Sequence, residues 1–138
     1  MSTAIRTLYT GKVHVAGGRE GFARSADGRL DLKLSTPGGP GTGTNPEQLL
    51  AAGWSACFEG AIAIAAKQMN LALPEAPAID AEIDLNLDDE GFGLAARLNV
   101  ALPGLPRDMA QAIIEAAHRT CPYSKALAGN IDIAINLV

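Results

Sequence analysis

The stretch that opens at Asn45-Pro46-Glu47 and runs toward Met69 constrains the fold more than any other part of the sequence. It begins as a helix should, with Asn as N-cap, Pro at the first helical position and an acid in the first turn. Leu49, Leu50, Ala52, Trp54, Ala56, Cys57, Phe58, Ala61, Ile62, Ile64 and Ala65 then cover nearly the whole circumference. That pattern predicts a long helix buried on most sides. With 138 residues, the chain has material for one domain, residues 1–138. Three-stranded sheets do not easily enclose such a helix alone, which predicts a homodimer in which two copies share one core.

The flanking segments read as strands, turns and shorter helices. Residues 5–15 and 22–25 are expected as strands around an Ala16-Gly17-Gly18-Arg19-Glu20-Gly21 turn, and Leu30-Asp31-Leu32-Lys33-Leu34 alternates with period two. A Gly/Pro/Thr loop over residues 35–44 leads into the long helix. Beyond the Pro74 and Pro77 break, Ile79, Ala81, Ile83, Leu85 and Leu87 form one strand of a hairpin. Asp88-Asp89-Glu90-Gly91 supplies its turn, and Phe92, Leu94, Ala96, Leu98 and Val100 return. Residues 107–118 carry helical spacing, Cys121-Pro122 opens a short third helix closed by Gly129, and Ile131, Ile133, Ile135 and Leu137 make a last strand. This order predicts an α+β fold, with antiparallel sheets packed around a long central helix, in preference to βαβ units.

Composition narrows the function. Apolar residues are 48% but aromatics only 4%, so the interior is built from Ala, Leu, Ile and Val. Eleven basic against 15 acidic side chains leave a formal charge of −4, which gives no positive field for a phosphate backbone and argues against nucleic acid. The purest apolar run, Ala61-Ile62-Ala63-Ile64-Ala65-Ala66, stops at Lys67, and residues 1–10 lack an export signal's apolar region. A soluble, cytoplasmic protein without membrane contact is expected. Two cysteines are too few for a disulfide scaffold in that compartment, where a disulfide is more often transient and catalytic.

Cys57 lies mid-helix among apolar residues, where a thiol is usually a small packing group and desolvation raises its pKa. A reactive Cys57 needs a cation nearby, and the helix offers none before Lys67. Cys121 precedes Pro122 at a helix boundary, where a plain surface thiol or an exposed, presented sulfur both fit. Arg19, Arg24 and Arg29 are rival cations; alone, each reads as a solvated hairpin charge, and Glu47 as a helix N-terminal acid. His118 suits a helix C-terminus as a cation. Zinc is disfavoured, because the cysteines are 64 positions apart and neither belongs to a C-x-x-C pair. The Gly38-Gly39-Pro40-Gly41-Thr42-Gly43 loop lacks the Gly-Lys-Ser/Thr ending of a phosphate cradle and reads as a flexible lid or spacer.

Four motifs in order, Gly17-Gly18-Arg19-Glu20-Gly21, the run from Gly43-Thr44-Asn45-Pro46-Glu47 through Ser55-Ala56-Cys57-Phe58, His118-Arg119-Thr120-Cys121-Pro122-Tyr123-Ser124, and Gly129-Asn130-Ile131-Asp132, span almost the whole chain. Together they resemble the organic hydroperoxide resistance proteins, within the superfamily named for osmotically inducible protein C. The resemblance implies a thiol peroxidase with Cys57 as peroxidatic and Cys121 as resolving cysteine. It implies further that Arg19 stabilises the thiolate and orients the peroxide, that Glu47 holds Arg19, and that an intertwined homodimer is reduced by a dithiol of the lipoyl type. No cofactor or metal is implied.

Glu47 and Cys57 are ten positions apart on one helix, about 15 Å along its axis. The acid cannot touch the sulfur, so an arginine spans the gap or the acid comes from the other subunit; the second is favoured and makes dimerisation a condition of activity. Trp54 and Phe58 are expected to contribute an apolar wall that favours organic hydroperoxides over hydrogen peroxide. Lys125 stands where the family commonly has Asn, which is more like the osmotically inducible branch, and Glu59 is unexpected in an apolar helix and should face solvent or a partner. Two alternatives remain open: a sister-branch peroxidase of broader range, and a noncatalytic dimer that binds an apolar ligand.

Overall fold

In the computed structural model, which describes residues 4–138, the chain divides into two units, one ending at Pro46 and the other running from Glu47 to Val138. The first unit holds an antiparallel sheet of β1 (Val13–Ala16), β2 (Phe22–Ser25) and β3 (Asp31–Lys33) in that spatial order. A 3-10 turn, Gly18–Glu20, joins β1 to β2. Gly17 and Gly18 take φ of 80° and 59°, and a Cβ on Gly21 would overlap the Ala16 carbonyl oxygen, so this turn requires glycine. Arg19 sits at its tip.

The first strand, Val13–Ala16, is shorter than the expected 5–15. Residues 4–12 carry no regular structure, and Ile5, Leu8 and Tyr9 are 95%, 81% and 80% exposed. The β2 ladder pairs only from Val13 onward, and a strand without a ladder partner leaves its backbone to water. The 35–44 loop has its ends pinned: Ser35 N–H donates to the Thr44 carbonyl (2.9 Å), and Gly43 N–H donates to Ser35 Oγ (2.8 Å).

The second unit contains α1 (Pro46–Gln68), β4 (Ala78–Asp88), β5 (Gly91–Ala101), α2 (Arg107–Thr120), α3 (Pro122–Leu127) and β6 (Asp132–Leu137). The β4–β5 hairpin is in the expected register, with Leu87 opposite Phe92 and Ile79 opposite Val100. Its two-residue turn is fastened by Glu90 N–H donating to Asp88 Oδ1 at 2.8 Å. One pairing departs from purely antiparallel sheets: β6 runs parallel to β5, Ala96 to Ile133 and Val100 to Leu137. The physical reason is the connection. Both α2 and α3 lie between β5 and β6 and carry the chain back to the end where β5 began, as a parallel crossover requires.

The inner sheet face buries Ala96, Leu98 and Val100 against Trp54, Phe58, Ala61, Ile62, Ala65 and Ala66 of α1 and Ala110, Ile113, Ile114 and Ala117 of α2. On the other face, Arg97 makes a two-pronged ion pair with Asp84 (2.7 and 2.8 Å) and reaches Glu82 at 3.0 Å. These contacts hold the Asp84 carboxyl below its ordinary range and push the guanidinium up.

Within this chain α1 is buried on one side only. Ala52, Ala56, Gly60, Ala63 and Ile64 form an exposed small and apolar stripe, with Ile64 57% exposed. On length and composition alone α1 could cross a bilayer, contrary to the sequence expectation that no apolar run is long enough. Its Trp54 side is nonetheless packed in the protein core, as in the central helix of many soluble folds.

Candidate active site

Two elements bring the cysteines together. Trp54, Cys57 and Phe58 fall on one side of α1, with Trp54 and Phe58 fully buried and Cys57 half-buried. From the opposite direction, α2 ends when Cys121 adopts extended backbone (φ −61°, ψ 122°), its N–H still bonded to the Ala117 carbonyl at 2.8 Å. Pro122 then starts α3, where a missing N–H costs nothing. Cys121 Sγ lies 3.4 Å from Cys57 Sγ and is oriented to donate to it. Both cysteines are free thiols.

Cys121 is fully buried, neither a surface thiol nor an exposed, presented one. The reason is packing: the preceding helix buries Ile113, Ile114 and Ala117, which draws the turn that follows into the same core. Trp54 and Phe58 likewise differ from expectation. Both are 0% exposed, so neither offers a wall to an incoming molecule.

Sequence reasoning missed Tyr123 and Ser124. The main-chain N–H of Tyr123 lies by Cys57 and favours its thiolate. A Cβ on Gly53 would stand 3.2 Å from the Tyr123 hydroxyl, so the phenol lies against α1 one turn before Cys57, with 41% of the residue exposed. Ser124, fully buried, accepts a hydrogen bond from Trp54 Nε1 at 3.0 Å. A glycine in mid-helix, where Ala is favoured by about 1 kcal/mol, was the one available signal of that close approach.

Burial pushes the Cys57 thiol above its ordinary value; the Tyr123 N–H works against this, while the adjacent Cys121 sulfur adds to it. The surroundings described so far therefore hold Cys57 as a thiol, and a thiolate requires positive charge from elsewhere. His118 does not supply it as a helix-end cation. It is half-buried beside the Phe58 ring (6.5 Å between centroids), its Nδ1 has no partner, and desolvation lowers its pKa. The neutral imidazole is favoured. Glu59 is half-buried, and Lys125 is exposed in the last turn of α3.

Among the rival arginines, Arg24 is committed within its own sheet, 3.4 Å from Asp31 and stacked 5.1 Å over the Phe22 ring. Arg29 lies 3.9 Å from Asp27. Arg19 is exposed on its glycine turn, where Glu20 Oε1 accepts the Thr36 N–H at 3.1 Å and ties the turn to the following loop. Glu47 lies half-buried in the first turn of α1. No group of three or more His, Cys, Asp or Glu able to hold a metal ion occurs among the described residues.

A helix-borne cysteine faced by a second cysteine, on a hairpin sheet closed by a parallel last strand, defines a class. The chain belongs to the OsmC-like protein family, whose profile matches residues 39–136. The group within it follows from individual relatives. The chain is 45% identical over 141 residues to the organic hydroperoxide resistance protein of Xanthomonas axonopodis pv. citri, covering 99% of each. It superposes with a TM-score of 0.90 on the crystal structure of the organic hydroperoxide resistance protein OhrB of Bacillus subtilis, at 42% identity over 96% of this chain and 100% of that one. A corresponding structure from Legionella pneumophila gives 0.90 at 39% identity, covering 96% and 98%. The likeness read from the four motifs thus holds at the level of the organic hydroperoxide resistance group.

Proposed function

We propose that this chain is a thiol-dependent peroxidase that reduces organic hydroperoxides to alcohols. The observation that carries the reading is the 3.4 Å approach of Cys57 Sγ to Cys121 Sγ inside a largely apolar site. The names of its relatives supply the substrate class.

The cycle has three balanced steps. Cys57 thiolate attacks the peroxide oxygen distal to the organic group; the O–O bond breaks, an alcohol leaves after taking a proton, and Cys57 becomes a sulfenic acid. Cys121 sulfur then displaces the hydroxyl, which departs as water with the thiol proton, and a disulfide forms. An external dithiol, of the lipoyl type, reopens it by two exchanges and is itself oxidised to a disulfide.

Burial raises the Cys57 pKa, so the first step needs a guanidinium. Arg19 fills that role in this reading: its forked N–H groups stabilise the thiolate and bind the peroxide oxygens as charge develops. Glu47 holds Arg19 in place, the acid coming from a second copy of the chain. The exposed stripe of α1 from Ala52 to Ile64 supports a homodimer, since a contiguous apolar strip left in water is unfavourable.

Steady-state turnover with a dithiol tests the proposal. A bulky alkyl hydroperoxide is expected to yield stoichiometric alcohol at a rate well above that of hydrogen peroxide. Equal rates would move the chain to a peroxidase of broader range, and no alcohol would reject the peroxidase reading.

A further inference from the structure

The bond from Trp54 Nε1 to Ser124 Oγ joins two fully buried residues 70 positions apart. Trp54 is three residues before Cys57 on α1, and Ser124 is three after Cys121 on α3. The bond therefore ties together the two elements that carry the sulfurs, one helical turn from the sulfur pair on each side. Among the described residues, Ser124 is the one polar side chain in the fully buried set. A buried indole N–H requires an acceptor, and Ser124 provides it.

Of the other ties on this turn, the packing of Cys121 under α2 stays, while its contact with Cys57 changes during the reaction. Helix α3 has six residues, of which Pro122, Tyr123, Lys125 and Ala126 are exposed. The Cys121 thiol donates to Cys57 Sγ, the atom whose charge and bonding change once it is oxidised. The Trp54–Ser124 bond uses neither sulfur and can persist through the cycle.

We propose that Ser124 is a positioning residue for the resolving step, its bond to Trp54 keeping Cys121 within reach while Cys57 is a sulfenic acid. This rests on the peroxidase reading above. Resolution joins Cys57–SOH to Cys121–SH, forming the S–S bond and breaking the S–O bond with loss of water. The sulfurs must close from 3.4 Å to about 2.05 Å, a movement within side-chain rotation if the turn is held. The competing fate is attack on a second hydroperoxide, which converts the sulfenic acid to sulfinic acid irreversibly. Whatever holds Cys121 in place decides between them.

Rapid quench with mass analysis separates the steps by counting sulfenic acid, disulfide and sulfinic acid over time. The wild-type chain is run first, and absence of any disulfide there would reject the peroxidase reading itself. In Ser124→Ala, sulfenic acid should form at the wild-type rate, disulfide should form about tenfold more slowly, and the sulfinic fraction should rise correspondingly. Ser124→Thr, which keeps the hydroxyl, should recover most of the resolving rate. If Ser124→Ala does not fold, Trp54→Phe removes the donor and should show the same resolving defect. Wild-type resolution in either variant, or an equal slowing of both steps, would reduce the bond to ordinary packing and overturn the proposal.

Discussion

Cys57 Sγ and Cys121 Sγ stand 3.4 Å apart although 64 positions separate them in the chain. The contact is made by a mid-helix position on α1 and the first residue past α2. Each is fixed by its own core packing, Trp54 and Phe58 on one side and Ile113, Ile114 and Ala117 on the other. The sulfurs are therefore already neighbours before any oxidation.

Removing the second sulfur should stop the cycle halfway. In Cys121→Ser, one equivalent of alkyl hydroperoxide is expected to add a single oxygen to Cys57, detectable by mass and by a sulfenic-acid trapping reagent. Unreacted Cys57 would contradict its role as the attacking atom.

The charge requirement of Cys57 makes a pH prediction with a definite sign. Burial raises its pKa, so the thiolate fraction grows as pH rises, and a nearby guanidinium moves that growth to lower pH. Arg19→Ala should shift the pH–rate profile upward in pH and lower the rate at neutrality by about 10²–10³, with little change in thermal midpoint. An unshifted profile would remove Arg19 from the reaction.

His118 gives a stability prediction. Desolvation lowers its pKa below the ordinary 6.5, so on acidification the unfolded chain takes up a proton before the folded one does. Its contribution is complete above 6.5 and is lost as pH falls through the depressed value. Thermal midpoints followed downward from about pH 7 should fall more steeply for the wild type than for His118→Gln. Parallel curves would mean that the imidazole titrates freely in the fold.

The exposed stripe of α1 tests the assembly. Ile64, 57% exposed, is too accessible in a single chain for a charge to matter greatly there. If two copies share this surface, Ile64→Glu should halve the mass seen by sedimentation and abolish peroxide turnover, because Glu47 of the second copy is then lost. A variant of unchanged mass and activity would contradict the dimeric site.

Much of this was legible in the sequence. The β4–β5 hairpin follows from period-two alternation on both sides of Asp88-Asp89-Glu90-Gly91, and α1 from the Asn45-Pro46-Glu47 start. The direction of β6 was not, because alternation is the same in parallel and antiparallel strands and only the α2–α3 crossover decides it. The burial of Cys121 was hidden because Pro122 signals a helix start without saying which way the turn faces. Ser124 escaped because its significance lies in Trp54, 70 positions away, and local pattern carries no information about such a partner. Residues 5–12 were expected to extend the first strand, yet strand formation depends on a neighbour that their own sequence does not contain.

The most direct measurement is a thiol count on fully reduced protein after one equivalent of an alkyl hydroperoxide, with the products mapped by peptide mass. The account predicts that Cys57 and Cys121 disappear together, appear as one linked peptide pair within a single chain, and return on adding a dithiol. Two thiols left intact, or oxidation of Cys57 with Cys121 still free, would contradict it.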